Sequence, residues 1–151
     1  MLGELNQQQI DQVLRSEAVG RIGCHAEGKT YVVPVCYVYD GECIYGDTTE
    51  GLKLRMMRAN PRVCFEVDHM DSLANWRSVI AWGTFEELGG EEASQVIQLL
   101  LNRYLPLLGS ETGPSQRGEE GTGAPEANMT GRTAVIYRIR LTEKTGRFEK
   151  R

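Results

Sequence analysis

The strand-like stretches of this chain come in neighbouring pairs, separated by turns too short to hold a crossover helix. Residues 20–25 and 31–39 flank Ala26, Glu27, Gly28 and Lys29, and the second run closes on Asp40 and Gly41 before residues 43–46 begin. Such turns are hairpin signals, and connections this short force antiparallel pairing, because parallel neighbours need a crossover of about a dozen residues or more. Three further runs, 63–68, 77–86 and 134–142, bring the total to six strands against three helical segments. Six antiparallel strands lying open would leave two bare edges, and closing the sheet removes them. The expected fold class is therefore mainly β: a six-stranded antiparallel barrel with peripheral helices.

Local signals place the helices. Asn6 followed by Gln9 fits a capping box, with Leu5 and Ile10 as the hydrophobic staple across it, so a helix is expected over 7–16 with Ile10, Val13 and Leu14 as its apolar stripe. Leu52, Met56 and Ala59 stand at helical spacing until Pro61 stops a second helix. A third is expected over 91–104, acidic in its first turn, with Val96, Ile97, Leu100, Leu101 and Tyr104 at helical intervals and Pro106 beyond its end. Residues 69–75 read as a polar connection. The stretch 109–131 is rich in glycine and poor in large apolar side chains, so within a single domain, 1–151, it is expected to be a long mobile loop.

Composition enters as exclusion. At 151 residues the chain has the size of one domain, and its net charge of −4 disfavours nonspecific binding to nucleic acid or to acidic membranes. No run approaches the roughly 18 to 20 apolar residues of a membrane span, and the N-terminus lacks a secretory pattern, which gives a cytoplasmic expectation. Cys24, Cys36, Cys43 and Cys64 include no C-x-x-C pair and read as reduced thiols, and no metal site is expected. His25 and His69 have no ligand spacing and read as surface side chains, while Ser72 and Ser78 lack a G-x-S-x-G context. A chain without a convincing acid, base or nucleophile set must take its chemistry from a cofactor if it is an enzyme.

The turn from Asp47 to Lys53 is the most informative place for a ligand. Thr48 and Thr49 bring hydroxyls to the start of a helix, where free amides attract anions; Gly51 permits close backbone approach and Lys53 adds a positive charge. A phosphate is the natural ligand, and the alternative is a capping threonine followed by a solvated lysine. Trp76, Arg77 and Ser78 could add an indole and two donors, or be an edge tryptophan and a surface arginine. Pro34 marks an edge or bulged strand, and a bulge would free backbone groups at Val35 and Cys36.

Taken in order, Gly20-Arg21-Ile22-Gly23, the run from Tyr31 through Pro34 to Tyr37, Ile44-Tyr45, Glu50-Gly51-Leu52-Lys53, the run from Ala59 through Pro61 to Val67, and Trp76-Arg77-Ser78-Val79 resemble the pyridoxamine 5′-phosphate oxidase-like FMN-binding split barrels. The branch that includes the nitroimidazole-resistance flavoproteins is the most similar. The resemblance implies a homodimer of split barrels with FMN at the subunit interface. Lys53 and Thr48 would then hold the phosphate, assisted by Ser78 and Arg77. The backbone of Pro34, Val35, Cys36 and Tyr37 would lie along the isoalloxazine, with Trp76 near the cofactor. It implies an oxidoreductase that passes electrons or hydride from reduced flavin to a small planar or nitroaromatic acceptor; related barrels exchange FMN for deazaflavin or haem. Many members of the branch carry histidine then serine where this chain has Asp47 and Thr48, which sets an anion beside the expected phosphate. A non-catalytic dimer that binds FMN or another phosphorylated ligand for storage or sensing is the alternative.

Overall fold

The computed structural model describes residues 1–109 and 134–151. In chain order the elements are β1 (Leu2–Glu4), α1 (Gln7–Ser16), β2 (Val19–Ala26), β3 (Lys29–Cys36), β4 (Val38–Tyr39), β5 (Cys43–Thr48), α2 (Leu52–Ala59), β6 (Arg62–Ser72), β7 (Asn75–Leu88), α3 (Gly90–Gly109) and β8 (Val135–Lys150). Every pairing is antiparallel, and the strand order is β3-β2-β6-β7-β8-β5-β4, with β1 added to β8. The two ends of that path, β3 and β4, are consecutive in the chain and joined through Tyr37 alone. The ring is closed by covalent continuity rather than by a ladder, which makes this mainly β molecule a split barrel with peripheral helices.

The hairpin signals act as read. Glu27 and Gly28 both take positive φ, 53° and 79°, between the paired residues Ala26 and Lys29, as a two-residue turn matching strand twist requires. Asp40 accepts the amides of Glu42 and Cys43 at 2.8 Å each and bends the chain into β5. Helix α1 has its capping box: Gln9 N donates to the Asn6 side chain and Asn6 N to the Gln9 side chain, both at 2.8 Å. Leu5 and Ile10 meet over Gly146, where an added Cβ would sit 2.9 Å from each.

The barrel interior is filled from both kinds of element. Ile22, Phe65, Val67, Val79, Tyr137 and Ile139 point in from the strands, while Ile10, Val13 and Leu14 of α1 and Leu54 and Met57 of α2 plug the ends. Helix α3 lies outside this core and packs Val96 and Leu100 on Ile136. Lys144 and Tyr39 both bond Asp11, at 2.9 and 2.8 Å, tying α1 to β8 and β4.

The strand count differs from six for identifiable reasons. The run 31–39 is two strands, because Tyr37 turns inward: its ring meets Phe65 edge-on at 4.9 Å and its hydroxyl bonds Leu14 O at 2.7 Å. Residues 69–75 are not a connection but the closed end of the β6–β7 hairpin, with His69 opposite Arg77 and Met70 opposite Trp76. β1 is too short to carry a period of its own. β8 runs on to Lys150 because β7, nearly as long, pairs with it from Asn75↔Lys150 to Leu88↔Ile136. Helix α3 passes through Pro106, whose φ is already helical and which, within the last turn, costs one bond to the carbonyl of residue 102. The proposed loop 109–131 lies outside the described residues apart from Gly109, which belongs to α3. Among the described residues no helix is long and apolar enough to cross a membrane.

Candidate functional site

The missing ladder leaves a slot. β4 pairs with β5 only at Val38↔Tyr45 and Tyr39↔Ile44, so from Gly46 to Thr48 the outer edge of β5 has no strand beside it. Counting back from Val38, Cys36 at the end of β3 comes level with Asp47 across this seam. Pro34 thus stands on an edge strand, with no bulge, since the β2–β3 register is unbroken from Val19↔Cys36 to Ala26↔Lys29. Free backbone at Val35 and Cys36 comes from the edge itself. Val35 and Tyr37 are buried, whereas Pro34 and Cys36 are exposed.

At one end of the seam the chain turns from β5 into α2. Thr48 is the last residue of the strand, its hydroxyl donating to Thr49 O at 3.2 Å, and the helix N-cap is Gly51, with no side-chain capping bond. The capping-threonine alternative is therefore not what the chain adopts, and the first-turn amides are left uncapped. Lys53, half-buried, has no ion pair among the described residues. Burial pulls its ammonium below the usual lysine range, against the opposing pull of Asp47 and Cys24. Burial likewise pushes the Asp47 carboxyl up, only partly offset by its own amide and by Lys53. A half-buried cation beside uncapped amides has the electrostatics to attract an anion, and the Asp47 carboxylate works against that.

Two groups in the seam escaped the sequence reading. Tyr137 on β8 lies across Gly46, where an added Cβ would stand 2.5 Å from the phenolic oxygen. Its hydroxyl and that of Tyr104 on α3 are buried with no hydrogen-bond partner among the described residues. Burial raises both phenols, and the negative charge that Cys36 and Asp47 can carry raises them further, so all four groups share one neighbourhood. A glycine opposite a tyrosine on paired strands is the only sequence signal that could have pointed there, and it requires the register.

Trp76, Arg77 and Ser78 open β7 at the other end of the molecule, where Trp76 and Arg77 line a shallow cleft of about 330 Å³ with Leu5, Phe148 and Lys150. Helix α2 packs at the far end of the same strand, its Arg58 bonding Glu87 at 2.6 Å. From Ser78 to Glu87 an extended strand covers roughly 30 Å at about 3.3 Å per residue. One protomer therefore brings together Asp47, Thr48, Lys53 and the Cys36 edge, but not Trp76, Arg77 and Ser78. His25 is exposed and bonds Thr30 at 2.9 Å. His69 is half-buried and held between Glu17 and Asp71, 3.1 Å from each, which gives it a fastening role. Among the described residues no group of three or more His, Cys, Asp or Glu is placed to hold a metal ion.

An antiparallel barrel split at one seam, with a short helix starting where the open edge of β5 ends, defines the class of split β-barrels. The chain belongs to the pyridoxamine 5′-phosphate oxidase family, whose family model matches residues 6–148. A FAD-binding protein of Mesorhizobium loti has a similar structure, with a TM-score of 0.73 and 28% identity over 99% of both chains. A candidate 5-nitroimidazole antibiotic resistance protein of Bacteroides thetaiotaomicron shares the fold at a TM-score of 0.71 and 17% identity, over 98% of this chain and 87% of that one. An uncharacterized protein of Rhizobium meliloti (strain 1021) is 27% identical over 84 residues, a match that spans 56% of each chain.

Proposed function

We propose that the chain is a flavoprotein that binds FMN along the seam, as one half of a homodimer, and serves as an oxidoreductase toward a small planar or nitroaromatic acceptor. The observation that carries this reading is the start of α2: uncapped amides and a half-buried Lys53 without an ion pair among the described residues, at the mouth of a slot between two strand edges. Membership of the family and likeness to a protein described as FAD-binding support it. FMN fits the donor set better than a larger dinucleotide would need, because the seam offers one anion site.

The chain's own residues would divide the work. Lys53 and the α2 amides neutralise the phosphate, and the Thr48 hydroxyl donates to it. The β3 edge from Pro34 to Tyr37 offers backbone groups to the ring system. When bound, the flavin supplies the two-electron chemistry, and the protein supplies position and electrostatics. Trp76, Arg77 and Ser78 join such a site only from a second copy, given the distance within one chain. The exposed apolar side chains of Val19 and Ile80, on the sheet face that also carries Pro34, suit that contact.

The test is an absorbance spectrum of the purified protein before and after loading with FMN and gel filtration. Retained flavin bands support the reading. A colourless eluate overturns it, provided thermal stability is also unchanged, since a ligand at 100 times its Kd adds about 2.7 kcal/mol. Asp47 beside the phosphate position favours a second reading, a binding dimer without turnover. Reduction of a nitroaromatic by the loaded protein with NAD(P)H would exclude it.

A further inference from the structure

We propose that the homodimer contact is proton-linked: covering the outer face of β2, β3, β6 and β7 drives a proton onto the carboxyl pair of Glu66 and Asp68, so two copies hold together more tightly as pH falls. The inference rests on the homodimer proposed above and concerns how that contact is regulated. Strand register builds the cluster. Pro34 on β3 pairs with Arg21 on β2, Arg21 with Glu66 on β6, and Glu66 with Ile80 on β7, so the four positions form one row across the sheet. Asp68 stands two residues on from Glu66 along β6 and shares its face.

Apolar side chains border this charge. Val19 stands two residues from Arg21, Val32 two from Pro34 and Trp82 two from Ile80, which keeps all of them on the same face. In the single chain Val19, Val32, Ile80 and Trp82 are all exposed. Exposed apolar positions gathered on one sheet face suit burial by a second copy. A two-fold contact presents the same patch from both sides, so a face that meets itself here encloses both copies of the cluster.

The cluster holds more acid than base. Arg21 Nη1 lies 3.4 Å from Glu66 Oε1 and 3.7 Å from Asp68 Oδ2, one guanidinium between two carboxyls. The neighbouring strands bring no second cation to it. On this face β2 adds Val19 and Gly23, β3 adds Pro34, and β7 adds Ser78, Ile80 and Trp82. Along β6 itself Cys64 is next and Arg62 lies four residues away, while Glu143 and Arg147 stand two strands off on β8. Burial, and then the hydrogen bond and charge of Asp68, already push the Glu66 carboxyl up to about 7 against the pull of Arg21. Losing the remaining water costs the doubly ionised pair more than the protonated one, so the dimer binds the proton more tightly than the single chain does. The proton comes from solvent, one per copy. Association is therefore tightest below the single-chain value and weakens as pH rises through and above it.

Fluorescence-detected sedimentation of the N-terminally labelled chain, from nanomolar to micromolar, reads the dimer Kd against pH. From about pH 6.5 to about pH 8.5 the Kd of the parent should rise about tenfold or more. Glu66→Gln fixes the neutral form and leaves Asp68 matched by Arg21, so it should dimerise at the higher pH as tightly as the parent does at the lower one. A flat parent profile overturns the proposal, as does a slope that persists in Glu66→Gln. So does a weaker Glu66→Gln dimer at the lower pH, which would mean that an ionised Glu66 meets a cation of the other copy. Where the parent stays dimeric at the lowest concentration, exchange between differently labelled copies replaces Kd, and it must quicken with pH in the parent and not in Glu66→Gln. A monomer at every pH overturns the homodimer along with this inference, whereas a pH-independent dimer that retains FMN overturns the inference alone.

Discussion

Helices α1 and α2 both begin where a strand hands over to a helix, yet their first turns are opposites. α1 starts with every local need met: Asn6 and Gln9 cap each other, Leu5 and Ile10 close the staple, and Asp11 is bonded by Lys144 and Tyr39. Burial works against the charge on Asp11, but those bonds outweigh it and hold the carboxyl below the usual range. α2 starts with a glycine cap, no side-chain bond, and a carboxylate and an ammonium both shifted against their charged forms by burial. A helix start that satisfies itself is architecture. One left open keeps amides available to another group.

Substitutions can break that contrast. Lys53→Ala should have the largest effect, lowering FMN affinity by roughly 1.5 to 3 kcal/mol, the worth of a charge-assisted bond, as read by fluorescence titration; unchanged affinity would remove Lys53 from the site. Gly46→Ala should cost about 1 to 3 kcal/mol of stability, because the new methyl falls on the Tyr137 phenol. Denaturant unfolding measures it, and a neutral result would show that Tyr137 has room to move. Asn6→Ala should cost about 1 kcal/mol with flavin affinity untouched; a loss of affinity would mean that α1 is not purely architectural.

Asp47→Asn should give the smallest change, and its sign depends on pH. A carboxyl raised in the folded state holds its proton more tightly there than in the unfolded chain. Its penalty is therefore absent below the unfolded value and grows as pH rises through and beyond it. The variant should be slightly more stable than the parent near neutrality, with the gain shrinking toward acid. Thermal melts at several pH values would sink the assignment if the gain were constant.

The same contrast explains what was legible in the sequence. α1 could be placed to the residue because a capping box and a staple are written within six positions, and the turns at Gly28 and Gly41 are equally local. The anion character of the α2 start was legible from Thr48, Gly51 and Lys53, though not that Thr48 belongs to the strand and leaves the helix uncapped. Partners far apart in the chain were not legible. That Tyr137 lies over Gly46, and that Trp76 stands at the opposite end of β7 from the Glu87 that bonds α2, are consequences of register, which no single segment contains. The residues 69–75 look polar because a hairpin end is exposed, and polarity there does not distinguish a turn from a loop.

The join through Tyr37 has a mechanical consequence. A ring of strands held by ladders on every side but one yields first where the ladder is missing, since widening the seam breaks no inter-strand bond between β3 and β5. Amides of Gly46, Asp47 and Thr48 that face the slot should exchange with deuterium sooner than those of the β7–β8 pair, whose register runs almost the length of both strands. The barrel is thus a hoop with a built-in gap, stiff around most of its circumference and compliant at the one place where a flat molecule could slide between its ends.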